Sequence, residues 1–112
     1  NTTKTIQTWP LFRLIRGSSC GYNLLKEREI WFVCHIVSHE NVRHYMHVIV
    51  ILDMDTFVVK QISQPFKFEN SPVEYCLGLV VQESDIIMSY STNDATSNIM
   101  VYDRKELKIF DI

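Results

Sequence analysis

Apolar residues along this chain arrive in runs of four to eight, rich in Val, Ile, Phe and Tyr, with polar turns between them. Runs of that length predict strands rather than helices, because β-branched and aromatic side chains fit a pleated, half-buried surface. Eight strands are expected: Phe12 to Arg16, Glu29 to Val37, His44 to Asp53, Phe57 to Ser63, Glu74 to Val81, Asp85 to Ser91, Asn98 to Tyr102 and Leu107 to Phe110. From Gly17 to Gly21 through Asp103 to Lys105, each main turn carries Gly, Pro, Asn, Asp or Ser, which accept turn dihedrals or hydrogen-bond their own backbone. No stretch has the spacing of a long helix.

Most connections are of hairpin length. The exception runs from Gln64 to Pro72, where Pro65 and Pro72 cannot donate to a central ladder and so mark a break. The halves on either side resemble each other: Trp31 to His35, followed by a strand ending at Asp53, parallels Ile86 to Tyr90, followed by a strand ending at Asp103. Each half reads as four antiparallel strands, the blade unit of a propeller. The expected fold is therefore all-β, about two four-stranded blades of a β-propeller, spanning 10–64 and 73–111. Two blades cannot close a ring, so the chain is expected to be a fragment whose remaining blades lie elsewhere.

Composition fits one globular domain, at 46% hydrophobic and 21% charged residues. A formal net charge of -2, a pI near 6.1 and scattered Lys and Arg give no electrostatic reason to expect nucleic acid. The longest apolar run, Val48 to Leu52, falls far short of the roughly 20 residues that span a bilayer, so no membrane partner is expected. The chain begins at Asn1 without a charged-then-apolar leader, which suggests a cut from something longer and the possible loss of a targeting signal. Three cysteines without a C-x-x-C pair point to reduced, mostly buried thiols rather than a disulfide framework, favouring a cytoplasmic location. The sequon at Asn1 would matter only in a secreted protein.

The densest polar cluster, His35 to His47, holds all four histidines. Side chains alternate along a strand, so Arg43, Tyr45 and His47 share one face, and a hairpin can bring His35 near Arg43 and Tyr45. No H-x-H or H-E-x-x-H spacing appears, which argues against metal. Arg offers a planar donor fork, and His and Tyr add further donors, so the trio suits phosphate or sugar hydroxyls. The plain alternative is a solvated hairpin tip with Tyr45 packed on the sheet. Asp94, heading the loop after the strand Asp85 to Ser91, can accept from sugar hydroxyls or cap its own turn. Arg16 can point into a central channel or sit at the surface before its turn, while Gly17 permits close backbone approach. Glu74 opens the second half as a polar site residue or as a satisfied structural acid. Gly78 within that strand implies close packing. Trp9, Trp31, Phe32, Phe57 and Phe66 read as core.

Taken together, these segments resemble the later blades of glycoside hydrolase family 130, the β-mannoside phosphorylases and mannosidases, and their glycosyltransferase-like relatives. Val33-Cys-His35 with Arg43-His-Tyr45, Glu74-Tyr-Cys-Leu-Gly78 and Met88-Ser-Tyr90-Ser-Thr-Asn-Asp94 stand in the order that family uses, over roughly residues 10 to 112. Arg16-Gly-Ser-Ser is closer to the glycosyltransferase-like subgroup. The resemblance implies a five-bladed propeller acting on β-mannosides with inversion, inorganic phosphate as co-substrate and no other cofactor. It implies phosphate binding by His35, Tyr45 and Arg43 and sugar binding by Asp94, beside which Arg16 and Glu74 stand as the substrate-binding candidates read from the sequence itself. The general acid would come from an earlier part of the domain, so this chain alone is expected to be inert. A non-catalytic propeller that binds carbohydrate or protein is the competing expectation.

Overall fold

In the computed structural model, the described residues are 15–38, 44–69, 71 and 73–112. They form an all-β structure of two antiparallel sheets. In chain order the strands are β1 (Ile15–Gly17), β2 (Tyr22–Leu24), β3 (Glu29–Ser38), β4 (His44–Asp53), β5 (Val59–Ser63), β6 (Glu74–Val81), β7 (Asp85–Thr92), β8 (Asn98–Asp103) and β9 (Ile109–Asp111). The first sheet has the order β1-β3-β4-β5-β9, with β2 also on β3, and the second has the order β6-β7-β8. Among the described residues no helix is long and apolar enough to cross a membrane.

The paired ten-residue strands β3 and β4 organise the molecule. Trp31, Val33, Ile49 and Ile51 point inward and are buried against Cys76, Val81, Ile86, Met88 and Tyr90 of the second sheet, with Phe68 between. Phe68 stacks on Tyr90 at 4.2 Å between ring centroids. Burial of this order contributes about 1.5–3 kcal/mol per large side chain, which is why two small sheets hold together. At the periphery the Arg104 guanidinium lies 5.0 Å from the centroid of the Trp31 ring and donates to Glu27, tying the end of the second sheet to the first.

Both outward faces are apolar as well. On the first sheet Ile30, Phe32, Cys34, Val48, Val50, Leu52 and Val59 form a second cluster, and Ile15, Gly17 and Cys34 border an open recess on it. On the second, Val80, Ile87, Ile99 and Val101 share a face by register. Ile99 and Val101 there stay 73% and 63% exposed.

The grouping of strands differs from the expected four plus four. After β8, Asp103 caps a short 3₁₀ turn over Arg104–Glu106, accepting from the Lys105 N–H, and the chain swings back to the first sheet. There β9 pairs with the open edge of β5 through Ile62 opposite Phe110, leaving three strands in the second sheet. An unpaired edge supplies donors and acceptors that local pattern cannot reveal. The expected first strand is described only from Ile15, its earlier part lying outside the described residues. The short β2, lined up with Trp31, Ile30 and Glu29, was not expected. Phe57 belongs to the turn before β5, with a left-handed φ of 58°.

The two β-hairpins β3-β4 and β7-β8 do correspond. Each ends in an aspartate whose side chain caps the following turn: Asp53 accepts from the Asp55 and Thr56 N–H groups, Asp103 from Lys105. Gly78 faces Ser89 at a β-bulge, and a Cβ there would lie 2.8 Å from the serine Oγ. By contrast a Cβ on Gly17 would meet nothing within 4 Å among the described residues. Gly78→Ala is expected to destabilise the fold by about 1–2 kcal/mol in urea unfolding and much less in a Ser89→Ala background. Equal losses in both backgrounds would show that the steric account is wrong.

Candidate functional site

One end of the two sheets gathers the polar side chains. Register fixes the neighbours: Arg16 of β1 lies opposite His35 of β3, which lies opposite His47 of β4, with Tyr45 two residues before His47 on the same face. The turn after β1 is held by the Ser18 and Ser19 N–H groups, both donating to the Val33 carbonyl, and by the Ser19 hydroxyl, which accepts from the Val33 N–H. That anchorage brings the Ser18 Oγ to 2.7 Å from the His35 Nδ1.

The His35 ring is enclosed by two tyrosines. Tyr45 stacks on it at 5.6 Å with an interplanar angle of 8°, and Tyr75 of β6 meets it at 5.3 Å and 53°. His35 is left 9% exposed, and both tyrosines are half-buried. Tyr75 comes from the other sheet, so the cluster exists only where the two sheets meet.

Beneath it lies a buried pair. The Glu74 carboxylate is fully enclosed and accepts from three backbone N–H groups of the connecting segment: Phe68 at 2.8 Å, Glu69 at 2.7 Å and Ser71 at 3.2 Å. His47 Nε2 approaches Glu74 Oε1 to 3.4 Å, a contact whose geometry leaves both ring nitrogens without a hydrogen bond among the described residues. Phe66 and Phe68 pack against the imidazole, and the backbones of His47 and Phe66 exchange two hydrogen bonds of 2.8 Å. Burial pushes the His47 imidazole down to about 4, with nearby Glu74 opposing that shift.

The expected site residues fall into distinct settings. His35 and Tyr45 touch, and Arg16 stands in register with His35 at the exposed edge strand, its guanidinium also donating to the Ile15 carbonyl. Every hydrogen bond described for Glu74 goes to the chain's own backbone, which is the structural role left open for it. Asp94 is exposed in the β7–β8 turn, where it and Asn93 adopt left-handed φ values of 56° and 51°. That turn is fixed beside the start of β6, Asn93 donating its N–H to Val73 and accepting from the Ser71 hydroxyl. Arg43 lies outside the described residues.

Sequence reasoning missed Tyr75 and Ser18. Tyr75 adjoins Glu74 in a segment already singled out, but only the packing of β6 on β3 gives it a partner. Ser18 carried a weak signal, as a hydroxyl following an Arg-Gly turn. Among the described residues no group of three or more His, Cys, Asp or Glu is placed to hold a metal ion. Burial raises the Cys34 and Cys76 thiols to about 11, so neither supplies a thiolate near neutrality, and Cys20 is exposed.

The arrangement offers hydroxyl and imidazole groups with an arginine close by, a set suited to oxyanions and sugar hydroxyls. Comparison with protein families, curated proteins and solved structures finds no match to this chain.

His47 sets a pH dependence. Folding favours its neutral form, whereas the unfolded imidazole binds a proton near pH 6.5, so the unfolded state takes up more protons between about 6.5 and 4. Stability is thus fully present above about pH 6.5 and is lost as the pH falls toward 4, by up to about 3 kcal/mol. Denaturant unfolding of the wild type and of His47→Leu across this range is expected to give a flatter profile for the variant. Parallel profiles would assign the acid sensitivity to other groups.

Proposed function

We propose that this chain is part of a carbohydrate-active β-propeller similar to the family 130 mannoside phosphorylases, mannosidases and glycosyltransferase-like proteins, acting with inversion on a β-mannoside or a sugar phosphate. The observation that carries the reading is the meeting of Arg16, Ser18, His35, Tyr45 and Tyr75, from four strands and one turn, at one end of two face-packed sheets. Apolar outer faces on both sheets support the stacking of further blades on each side.

In this reading His35 and Tyr45, with Arg43 assigned to the same task by the resemblance, hold a phosphate in line behind the anomeric carbon, where fixed proximity lowers the barrier to attack, and Arg16 contacts the sugar. The exposed Asp94 turn faces sugar hydroxyls. Glu74 acts from below, fixing the segment under the site rather than touching substrate. Inversion also needs an acid for the departing oxygen, which the resemblance assigns to an Asp outside this chain.

A second reading is a propeller that binds carbohydrate or protein without catalysis. The engagement of both Glu74 oxygens by backbone donors favours it, since a carboxylate expected to contact substrate is taken up by the fold instead.

Calorimetric titration of the protein with inorganic phosphate and with mannose 1-phosphate, in wild type and His35→Ala, tests both. Saturable phosphate binding that falls at least about tenfold in the variant is the expected result for phosphorolysis. Sugar binding without phosphate binding would favour hydrolysis, transfer or simple recognition, and binding of neither would overturn the carbohydrate reading.

A further inference from the structure

We propose that the outer edge of β8 is a self-association surface, on which a second copy of this chain lays its own β8 antiparallel about a two-fold axis. This goes beyond the carbohydrate reading and does not depend on it.

In the first sheet the second strand of the long hairpin, β4, has its far edge covered by β5. The corresponding strand of the second sheet is β8, and among the described residues no strand covers its far edge, because β9 has gone to β5 instead. Open edges are ordinarily blunted by shortness, bulges, prolines, lysines or inward-pointing charges. The other edges here are guarded in these ways. β1, β2 and β9 have three residues each, and β6 carries both a β-bulge between Cys76 and Gly78 and the inward-pointing Glu74. β8 has no such guard. Its six residues, Asn98–Asp103, pair with β7 without a break in register and include neither Pro nor Lys, and Ile99 and Val101 stand exposed along it.

The strand is also its own complement. Side chains directly opposite across a ladder share a face, so antiparallel copies of β8 meet only in registers centred on a residue. Centred on Met100, each Ile99 lies opposite the other copy's Val101 and each Asn98 opposite Tyr102, which pairs β-branched side chains and keeps the two Asp103 carboxylates apart. Centred on Val101, each Asp103 would stand against Ile99 instead. The first register therefore joins the three-stranded sheets of two copies edge to edge. β6, which carries Tyr75, lies on the far side of its sheet from β8, so the pairing leaves the polar cluster uncovered. Six residues of ladder make a small contact beside the roughly 1,600 Å² of a standard interface, so association is weak and grows with concentration.

Sedimentation velocity from about 10 µM to about 1 mM is expected to show a monomer giving way to a dimer. Ile99→Lys with Val101→Lys sets like charges opposite each other and is expected to weaken the dimer at least about tenfold, whereas Ile99→Lys with Val101→Glu sets each cation against an anion of the other copy and restores it. Circular dichroism establishes that both variants are folded. A wild type that stays monomeric throughout overturns the proposal. So does a dimer or larger assembly that persists in the doubly basic variant, which would place the contact on a sheet face, or a loss that the mixed-charge variant does not reverse. A measurement without variants decides as well if either fails to fold: the β8 amides that do not bond to β7 are expected to exchange hydrogen more slowly at high protein concentration than at low, and exchange independent of concentration counts against the pairing.

Discussion

A carboxyl group enclosed on every side must find donors close at hand, and Glu74 finds three in the segment that joins the two sheets. That requirement fixes where Phe68, Glu69 and Ser71 run. It places the Phe68 ring between Tyr90 and His47, and so fills the space between the sheets. With the segment held, β6 lies against β3 and Tyr75 reaches His35. The polar cluster at the sheet ends is thus a product of one buried acid. Breaking a carboxylate's last donors in a closed space costs about 1–3 kcal/mol or more, a large fraction of what a domain this small has in reserve.

Much of the fold was legible in the sequence. The bounds of β4 and β6 agree with those expected, and β3, β7 and β8 each run one residue further, because period-two patterning is strong where one face is buried. The regular burial of alternate residues along β7 is the physical source of that signal. What escaped was long-range pairing. Nothing near Ile109 indicates that it will lie beside Ser63, and β2 is too short to impose a pattern of its own. Both depend on unpaired edges that appear only after the central strands have assembled.

The candidate site was legible in part, for a similar reason. Strand alternation places His35, Tyr45 and His47 on one face, as the register now has it. It could not reveal that His47 is wholly enclosed, since that enclosure is made by Phe66 and Phe68 from the connecting segment. Ser18 and Tyr75 are partners of His35 through the return of β1 along β3 and the docking of β6. Neither relation is local in sequence.

The path of β9 carries a consequence for how the protein comes into being. β5 is made about fifty residues before the strand that covers its edge, because Gln61 waits for Asp111. During synthesis the first sheet therefore emerges with an exposed edge and an apolar outer face. It can be completed only after the β7–β8 hairpin has formed and turned the chain back. Non-local closure of this kind slows folding and leaves a window in which a ribosome-bound chain is vulnerable to edge-to-edge pairing with its neighbours.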